Sequence, residues 1–511
     1  MNDTIVILDY GSQYTQLIAR KIRECNVHSI ILPFDCSDEK IKKYNLKGIV
    51  LSGGPSSVYE NNAPKLLKSI FSYNVPILGI CYGFQLLVDN YKGTVQGSNK
   101  AEYGHANINI KYDSKLFKGI NSISKVWMSH GDKVKKVPDE WIVTSKSDNN
   151  IISSSENKLQ NMYGVQFHPE VYHTKDGQKI INNFLFKICN ANPDWTPDNF
   201  ISQTINNIKK TVGDGKVICA LSGGVDSTVV GTLMKRAIGS NAVCVFIDHG
   251  LLRKNESSEV LDIYNNNLKL DVTLYDKSKE FLNELYDIDD PEKKRKIIGN
   301  KFIEEFETIS KQYTDIKFLA QGTLYPDVIE SGGYGKVADK IKSHHNVGGL
   351  PEKMNLKLIE PVNELFKDEV REIGRSLDIP DKFLMRHPFP GPGLAIRILG
   401  NITENRLEIL KDADDIFIKV LKEFDYYNKI WQAFCVLLPI KTVGVMGDKR
   451  TYEHVICLRM VTSIDGMTAD WYDLPEKILK LCSNKIVNEV KGVNRVVMDI
   501  TSKPPGTIEW E

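Results

Sequence analysis

Cys81 stands in a setting typical of a catalytic nucleophile. The run Gly79-Ile80-Cys81-Tyr82-Gly83 lies where an apolar strand, Val75–Ile80, meets a helical segment that begins FQLLVDN. A nucleophile on a sharp strand-to-helix turn needs small neighbours, because its backbone is strained there. The helix N-terminus favours a thiolate, and its free N–H groups stabilise a developing oxyanion. We therefore predict that Cys81 is a nucleophile.

A general base and a group that orients it follow later in the chain. His168-Pro169-Glu170 comes directly after the strand-like segment Met162–Phe167, and Gly53-Gly54-Pro55, after another strand, offers a second loop of oxyanion donors. The alternative interpretation is a buried structural cysteine beside an unrelated surface histidine, which is common for a lone cysteine. We assign that ordinary role to the other eight thiols: Cys25, Cys36, Cys189, Cys219, Cys244, Cys435, Cys457 and Cys482.

These motifs, in this order, resemble the class I glutamine amidotransferases. The pattern GxCxGxQ runs from Gly79 to Gln85, and the HPE motif follows at the expected distance. The resemblance implies that Cys81 attacks the side-chain amide of glutamine, that His168 moves the proton, and that Glu170 orients His168. It also implies a set of glutamine-binding or oxyanion residues: Gly53, Gly54, Tyr82, Gln85 and His130.

A second motif predicts a phosphate site. The strand Val217–Leu221 leads into a glycine turn and then the helix Ser227–Ile238, and the turn residues are Ser222, Gly223, Gly224, Val225, Asp226, Ser227 and Thr228. Glycines let the backbone approach a phosphate, and the helix N-terminus directs N–H groups at it. No lysine precedes Ser227, so this is not the loop of γ-phosphoryl transfer. A simple helix N-cap is the alternative.

The loop SGGxDS resembles the pyrophosphatase loop of enzymes that split ATP between its α and β phosphates. The resemblance implies AMP and pyrophosphate as products and an adenylated intermediate. Asp226 would lie among phosphates, where a lone carboxylate is costly unless a divalent cation neutralises it. We therefore predict Mg²⁺ as a cofactor, with Asp226 as a ligand.

Alternating apolar runs and helical segments predict an α/β fold. We expect two doubly wound domains with mostly parallel sheets, followed by a smaller α+β dimerisation domain. Pro-, Asn- and Asp-rich residues in Cys189–Asp198 mark the first boundary, and the prolines and glycines of His387–Gly393 mark the second. The predicted domains are residues 1–195, 196–386 and 387–511.

The composition excludes several classes of protein. Basic and acidic residues number 66 and 65, a net charge of +1, which argues against nucleic-acid binding through bulk charge. No long apolar run or basic leader suggests a membrane partner or a secretion signal. The nine cysteines show neither CxxC nor zinc spacing. This pattern favours a reduced, cytoplasmic protein.

The whole chain resembles the GMP synthases. The segments that carry the likeness are Asp248–Glu256, Gln321–Ser331, Lys342–Pro351, Arg386–Leu394, Val443–Asp448 and Lys503–Glu511. The resemblance implies ATP-dependent adenylation of xanthosine monophosphate, amination by ammonia from glutamine, and, by analogy, a homodimer. It also assigns residues around the nucleotide substrate: Arg253, Arg386, Gln432, Lys503 and Glu509.

Lys342–Gly349 contains Lys342, His344 and His345 and is interpreted as a lid that keeps water from an adenylated intermediate. Two adjacent histidines could instead hold a metal, but no further ligand lies at ligand spacing. Other functions stay open on the motifs alone. They are an NAD synthetase or related AMP-forming enzyme, a glutamine hydrolase with an accessory domain, and a regulatory nucleotide-binding protein.

Overall fold

A computed structural model describes residues 2–313, 315–331, 356–463 and 468–511, and these form two compact units. The first unit comprises the chain up to Phe200 and a short segment from Ile329; the second begins at Ile201. Helix α5 (Pro197–Val212) contains the junction between Phe200 and Ile201. The predicted boundaries at residues 195 and 386 stay predictions.

The first unit is built on a nine-stranded sheet. Its strands are β1 (Asp3–Asp9), β2 (His28–Pro33), β3 (Asn45–Leu51), β4 (Ile77–Ile80), β5 (Thr94–Ile110), β6 (Ile123–Lys136), β7 (Ile142–Ser147), β8 (Ile152–Asn157) and β9 (Met162–Val165). They lie in the order β2-β1-β3-β4-β9-β8-β7-β5-β6. Helices of this part of the chain are α1 (Thr15–Arg23), α2 (Asp38–Ile41), α3 (Tyr82–Asn90), α4 (Gly177–Asn182) and α5 (Pro197–Val212).

Parallel pairing connects β2, β1, β3, β4 and β9, while the strands from β9 to β6 pair antiparallel. The central residues Ile5–Leu8 of β1 and all of β4 are apolar and buried, which is typical of parallel strands covered on both faces. The antiparallel extension was not predicted, because β5 to β8 are rich in polar residues and lack continuous apolar runs.

The second unit contains a parallel sheet and a C-terminal sheet. The parallel strands are β10 (Lys216–Leu221), β11 (Ala242–Asp248), β12 (Thr273–Asp276), β13 (Ile316–Ala320) and β14 (Lys357–Ile359), in the order β12-β11-β10-β13-β14. The C-terminal strands are β15 (Gln432–Met446), β16 (Lys449–Thr462), β17 (Asp470–Trp471) and β18 (Val493–Asp499).

The helices from the phosphate motif onward are α6 (Val225–Ile238), α7 (Glu256–Asp262), α8 (Ser278–Glu284), α9 (Pro291–Ser310), α10 (Tyr325–Ser331), α11 (Lys367–Ser376), α12 (Asp381–Leu384), α13 (Glu404–Glu423) and α14 (Glu476–Glu489). One apolar core joins strands of the parallel sheet to α13, α14 and the C-terminal strands, through residues from Ile218 to Val493. The predictions of a mixed α/β fold, mostly parallel sheets and a C-terminal sheet are confirmed. The doubly wound arrangement stays a prediction.

Within the described ranges, no helix is both long and apolar enough to cross a bilayer.

Two buried histidines of the second unit are held neutral by the fold. His249 follows β11, and its Nδ1 accepts a hydrogen bond from the Leu251 N–H at 3.1 Å. His387 Nδ1 accepts from the Ala433 N–H at 3.1 Å, and its Nε2 donates to the Tyr427 carbonyl at 2.9 Å. Burial, the largest cause, lowers the pKa of each imidazole to about 4.

This predicts that mild acid destabilises the second unit. The unfolded chain protonates both histidines below their ordinary pKa of about 6.5, whereas the folded chain does not until about pH 4. The free energy of unfolding should therefore fall between pH 6.5 and pH 5, by about 2 kcal/mol for each histidine. Urea unfolding followed by limited proteolysis checks this. In the His387→Asn variant, about half of this fall in the free energy of unfolding should disappear. The same pH dependence in the variant and the parent protein would contradict the assignment.

Candidate functional site

Cys81 occupies a strained turn between β4 and α3. Its φ is +52° and its ψ is −108°, a conformation unusual for a residue with a Cβ. Its N–H donates to the Val165 carbonyl of β9 at 2.8 Å. A Cβ on Gly79 would lie 2.6 Å from the Phe84 nitrogen, and one on Gly83 would lie 2.4 Å from the Leu51 oxygen. The turn therefore requires the small neighbours that the sequence supplies.

His168 and Glu170 lie beside Cys81. His168 Nδ1 is 2.7 Å from Glu170 Oε1, and both side chains are buried. Burial works to lower the pKa of His168. The adjacent Glu170 carboxylate and a hydrogen bond to Cys81 outweigh it and hold that pKa well above its usual value. Gly53 packs against both groups, since a Cβ there would be 3.1 Å from His168 Cε1 and 3.6 Å from Cys81 Cβ.

An amide chain on the other side of Cys81 includes a residue that the sequence analysis missed. Gln85 Nε2 donates to Gln166 Oε1 and to the Asp132 carbonyl, both at 3.2 Å. Gln166 Nε2 is 3.8 Å from Cys81 Sγ, at the long end of a hydrogen bond to sulfur. Gln166, His168 and Glu170 are spaced two apart, so an extended chain places them on one side. That alternation was the available signal for Gln166.

The remaining predicted residues of this site are placed as follows. Gly54 lies against the chain at Tyr10, where a Cβ would come within 2.6 Å of the carbonyl oxygen. The side chain of Tyr82 is buried and donates its hydroxyl to the Pro64 carbonyl at 2.8 Å, and its role toward glutamine stays a prediction. His130 lies on β6 opposite Glu102, and only its backbone is described.

The phosphate motif forms a loop at the end of β10, and α6 begins at Val225. Gly223 has a φ of +78°. The Ser222 N–H donates to Ser227 Oγ at 3.1 Å, and Thr228 Oγ1 donates to the Gly224 carbonyl at 2.7 Å. The loop is thus closed by its own hydroxyls, and the N-terminus of a fourteen-residue helix lies at its end. Such an arrangement binds anions through backbone N–H groups and the helix dipole.

Asp226 has a cationic partner that the sequence analysis did not identify. Lys367 Nζ, at the start of α11, lies 2.6 Å from both carboxylate oxygens of Asp226. The two residues are 141 positions apart, and nothing in the run FKDEV marks the lysine as part of the loop. Lys367 therefore places a positive charge at the mouth of the phosphate loop.

A cluster of charged side chains contains four of the five residues predicted for the nucleotide substrate. Arg386 forms an ion pair with Glu256, and Arg253 lies 3.6 Å from Asp414 and over the ring of Phe389. Burial works to raise the pKa of Glu256, but Arg253 and Arg386 outweigh it and leave that pKa below its usual value. Arg253 Nε and Nη2 are buried without a hydrogen-bond partner among the described residues. Nε faces the Asp414 carboxylate at 3.6 Å, and Nη2 is available to an anionic or carbonyl ligand.

Gln432 and Glu509 belong to the same cluster. Glu509 accepts two hydrogen bonds from the fully buried Arg397, at 3.0 and 2.8 Å, and one from Gln432 at 2.7 Å. Arg397 was not predicted, because a single arginine in LAIRI gives no signal of function. The fifth predicted residue, Lys503, pairs through its backbone with Ala469. Lys342, His344 and His345 fall outside the described residues.

Comparison with known proteins agrees with this division. Residues 6–188 match the profile of the class-I glutamine amidotransferases, 198–287 that of NAD synthase, and 419–510 that of the GMP synthase C-terminal domain. The chain is 52% identical over 509 residues to a glutamine-hydrolysing GMP synthase of Brachyspira hyodysenteriae, covering 100% of this chain and 99% of the relative. Its identity to those of Caldanaerobacter subterraneus and Carboxydothermus hydrogenoformans is 54% and 53%, covering 100% of this chain and 99% and 100% of theirs.

The geometry around Cys81 predicts selective alkylation. Cys25 is more exposed, but burial of its thiol raises its pKa to about 11, so it remains protonated near neutrality. Cys81 lies beside His168, which can accept the thiol proton as the sulfur is alkylated. Limiting iodoacetamide at pH 7 should therefore modify Cys81 before Cys25, as read by peptide mass spectrometry.

His168→Asn should abolish that preference, whereas His105→Asn, at an exposed histidine of the same unit, should keep it. If iodoacetamide alkylates Cys25 before Cys81 in the protein without substitutions, the proposed arrangement around Cys81 is wrong.

Proposed function

Because the chain belongs to the family of glutamine-hydrolysing GMP synthases, we propose that its first unit releases ammonia from glutamine and its second unit uses ATP and that ammonia to aminate xanthosine monophosphate. The activity is glutamine-dependent synthesis of GMP, and the enzyme is a ligase that forms a carbon–nitrogen bond. The observation that carries the division of labour is the Cys81–His168–Glu170 arrangement in one unit and the Ser222–Thr228 loop in the other.

In the first unit, Cys81 Sγ bonds to the side-chain carbonyl carbon of glutamine, and the carbon–nitrogen bond breaks. His168 gives a proton to the departing ammonia, and Glu170 fixes the imidazole through its Nδ1. Backbone N–H groups at the start of α3 and at Gly53-Gly54 are placed to stabilise the oxyanion. Water then cleaves the thioester, with His168 as the base, and releases glutamate.

In the second unit, ATP binds with its β and γ phosphates against Ser222–Thr228. The C2 oxygen of xanthosine monophosphate attacks the α phosphorus, and pyrophosphate leaves. Ammonia then displaces AMP from C2 and gives GMP. As a carbonyl carbon, C2 of the purine is a poor electrophile. It becomes reactive because its leaving group is now AMP and no longer an oxide. Lys367 is available to move from Asp226 to a phosphate oxygen when the cation of ATP arrives.

The residues present fit a magnesium ion. Asp226 offers a part-exposed carboxylate beside a helix N-terminus, and no group of three or more metal-ligating side chains occurs within the described part of the chain. One carboxylate completed by phosphate oxygens is the set that Mg²⁺ commonly uses. Asp226 would hold the ion, which would neutralise charge that develops on the phosphates.

The nucleotide substrate is assigned to the charged cluster around Arg253 and Arg386. Arg253 Nη2, which has no hydrogen-bond partner among the described residues, supports this, since a buried guanidinium needs acceptors. Gln432 contributes an amide to this site. Glu509 accepts hydrogen bonds from Arg397 and Gln432, so its role is to position those two side chains. Lys503 supplies a further cation for the phosphate, and the lid predicted at Lys342, His344 and His345 lies outside the described residues.

The finer architecture is also proposed. We assign the three domains to residues 1–195, 196–386 and 387–511, with both sheets of the first two doubly wound. Nine free cysteines in an ATP-consuming enzyme support a cytoplasmic location.

The end of the β15–β16 hairpin exposes Val443, Val445 and Tyr452, and Val443 lies directly opposite Tyr452. We assign this apolar patch to the contact between two copies of the chain.

Product analysis tests the function. With glutamine and ATP, AMP and pyrophosphate should form with xanthosine monophosphate and not with inosine monophosphate or deamido-NAD, and GMP should equal AMP. Cys81→Ala should lose glutamine-dependent synthesis and keep synthesis from ammonium salts, because the second unit is intact. Release of AMP with a different acceptor would overturn the proposed substrate, and loss of both activities in a folded variant would overturn the division of labour.

Lys367 should matter only to the ATP-dependent half of the reaction. Lys367→Met removes a cation at the phosphate loop, so kcat/KM for ATP should fall about 100-fold with either nitrogen source. Lys367→Arg should lose less. Lys235→Met is the matched control, since it removes an ion-paired lysine at the far end of the same helix that carries Asp226. If the two methionine variants behave alike in steady-state kinetics, Lys367 has no such role.

The dimer is tested by sedimentation velocity. Charge at the hairpin patch should prevent association, so Val445→Glu combined with Tyr452→Glu should give a monomer at concentrations where the parent chain is a dimer. Leu159→Glu, which places the same charge at an apolar side chain that is 90% exposed in the first unit, should leave the dimer intact. A parent chain that sediments as a monomer refutes the dimer, and a dimeric double variant refutes this patch.

A further inference from the structure

His168 lies beyond the end of its strand, so the sheet ladder does not fix it. β9 ends at Val165, and α4 begins only at Gly177. The general base of the proposed glutaminase is therefore carried by an irregular segment, and its position must come from individual hydrogen bonds. The segment runs past the outer edge of β6, the last strand of the sheet, where no other strand of the described chain pairs with it.

Two hydrogen bonds between this segment and Trp127 of β6 form a closed ring with a third bond inside the segment, and the Lys175 N–H also donates to the Lys125 carbonyl at 3.0 Å. The His168 N–H donates to the Trp127 carbonyl at 3.0 Å. The Trp127 N–H donates to Thr174 Oγ1 at 3.1 Å, and the Thr174 hydroxyl donates to the His168 carbonyl at 2.6 Å. An antiparallel pair of residues normally exchanges two direct N–H···O=C bonds. Here one bond is direct, and the other passes through the hydroxyl of Thr174.

We propose that Thr174 is a positioning residue for glutamine hydrolysis, because its hydroxyl replaces the missing ladder bond and holds His168 against Cys81. This rests on the proposed function of the first unit. Thr174 is itself only 5% exposed, and its own N–H donates to the Val171 carbonyl at 3.1 Å. Its hydroxyl must donate and accept at once, which serine can do and valine cannot.

The surroundings leave the segment little room to compensate. The Gly177 N–H donates to the Thr174 carbonyl at 3.1 Å, and a Cβ on Gly177 would lie 2.0 Å from the Pro169 oxygen. The start of α4 is thus pressed against the His168-Pro169-Glu170 turn. Without the hydroxyl, the His168 carbonyl and the Trp127 N–H lose a shared partner, and the turn must shift to satisfy them. A shift of this kind moves the imidazole away from the sulfur.

Thr174→Val tests the proposal, because valine keeps the shape and removes the hydroxyl. Glutamine-dependent kcat should fall between about 10- and 100-fold, since small displacements of a catalytic group have effects of this size. KM for glutamine should change less than threefold, and ammonium-dependent synthesis should be unchanged. The rate of alkylation of Cys81 by iodoacetamide at pH 7 should fall with kcat. Thr174→Ser should restore both rates to within about threefold.

Thr144→Val is the matched control. Thr144 is a buried threonine of the same unit, on β7, and its hydroxyl bonds Ser154 Oγ at 2.6 Å. The Thr144→Val variant loses a buried hydroxyl that makes no contact with the His168 segment. Its glutamine-dependent kcat should therefore equal that of the parent chain. A Thr174→Val variant with parental kcat, a serine variant as impaired as valine, or an equal loss in Thr144→Val would each overturn the proposal.

Amide hydrogen exchange and the activity of the parent chain are two further measurements that test the role of Thr174. If Thr174→Val does not fold, amide hydrogen exchange of the parent chain takes its place. The Trp127 and His168 amides should then be as protected as amides within the β5–β6 ladder, and rapid exchange at either would refute the ring. Absence of glutamine-dependent synthesis in the parent chain would instead refute the proposed function. The two failures are therefore distinguishable.

Discussion

Parallel pairing of neighbouring strands is the constraint on which both sites depend. Ile80 of β4 lies beside Val165 of β9, so the residues that follow the two strands, Cys81 and the segment leading to His168, meet at one edge of the sheet. In the second unit β10 and β13 are also parallel neighbours. Gly322, just after β13, comes so close to the phosphate loop that a Cβ on it would be 3.2 Å from the Ser227 nitrogen. Carboxyl ends of parallel strands share an edge, and each site is assembled there.

Buried cations organise the second unit in a different way. Arg397 holds Glu509, Arg459 donates to the carbonyls of Thr501 and Thr507, and Lys294 pairs with Glu511 at 2.5 Å. A fully buried guanidinium or ammonium is costly unless acceptors surround it. The C-terminal segment supplies those acceptors, partly through its backbone. It is therefore an integral part of the charged cluster to which we assign the nucleotide substrate.

Local motifs were sufficient for the parts of the sites that lie within a few residues of one another. The Gly79–Gly83 turn and the Ser222–Thr228 loop combine strand, turn and helix signals in one short run, and the elements around them lie close to their predicted bounds. The strands β5 to β8 were missed because their polar residues hide the pattern of a sheet. One apolar core includes residues on both sides of 386, and the boundary there stays a prediction.

Residues contributed by distant parts of the chain could not be found in this way. Lys367 reaches Asp226 from 141 positions away, and Thr174 completes a ring with Trp127, 47 positions before it. Neither side chain is unusual in its own sequence context. What gives each its importance is a single polar contact set by the register of a sheet or the packing of a helix. Sequence periodicity contains no information about such a contact, whereas Gln166 was at least marked by its alternation with His168 and Glu170.

The central claim is that glutamine supplies nitrogen in one unit while the other makes AMP the leaving group on the purine. One turnover with amide-¹⁵N glutamine and xanthosine monophosphate carrying ¹⁸O at C2 tests it most directly, with the products read by mass spectrometry. The account predicts ¹⁵N in the 2-amino group of GMP and ¹⁸O in the phosphate of AMP. Recovery of ¹⁸O in pyrophosphate or orthophosphate, or GMP without ¹⁵N when glutamine is the sole nitrogen source, would contradict it.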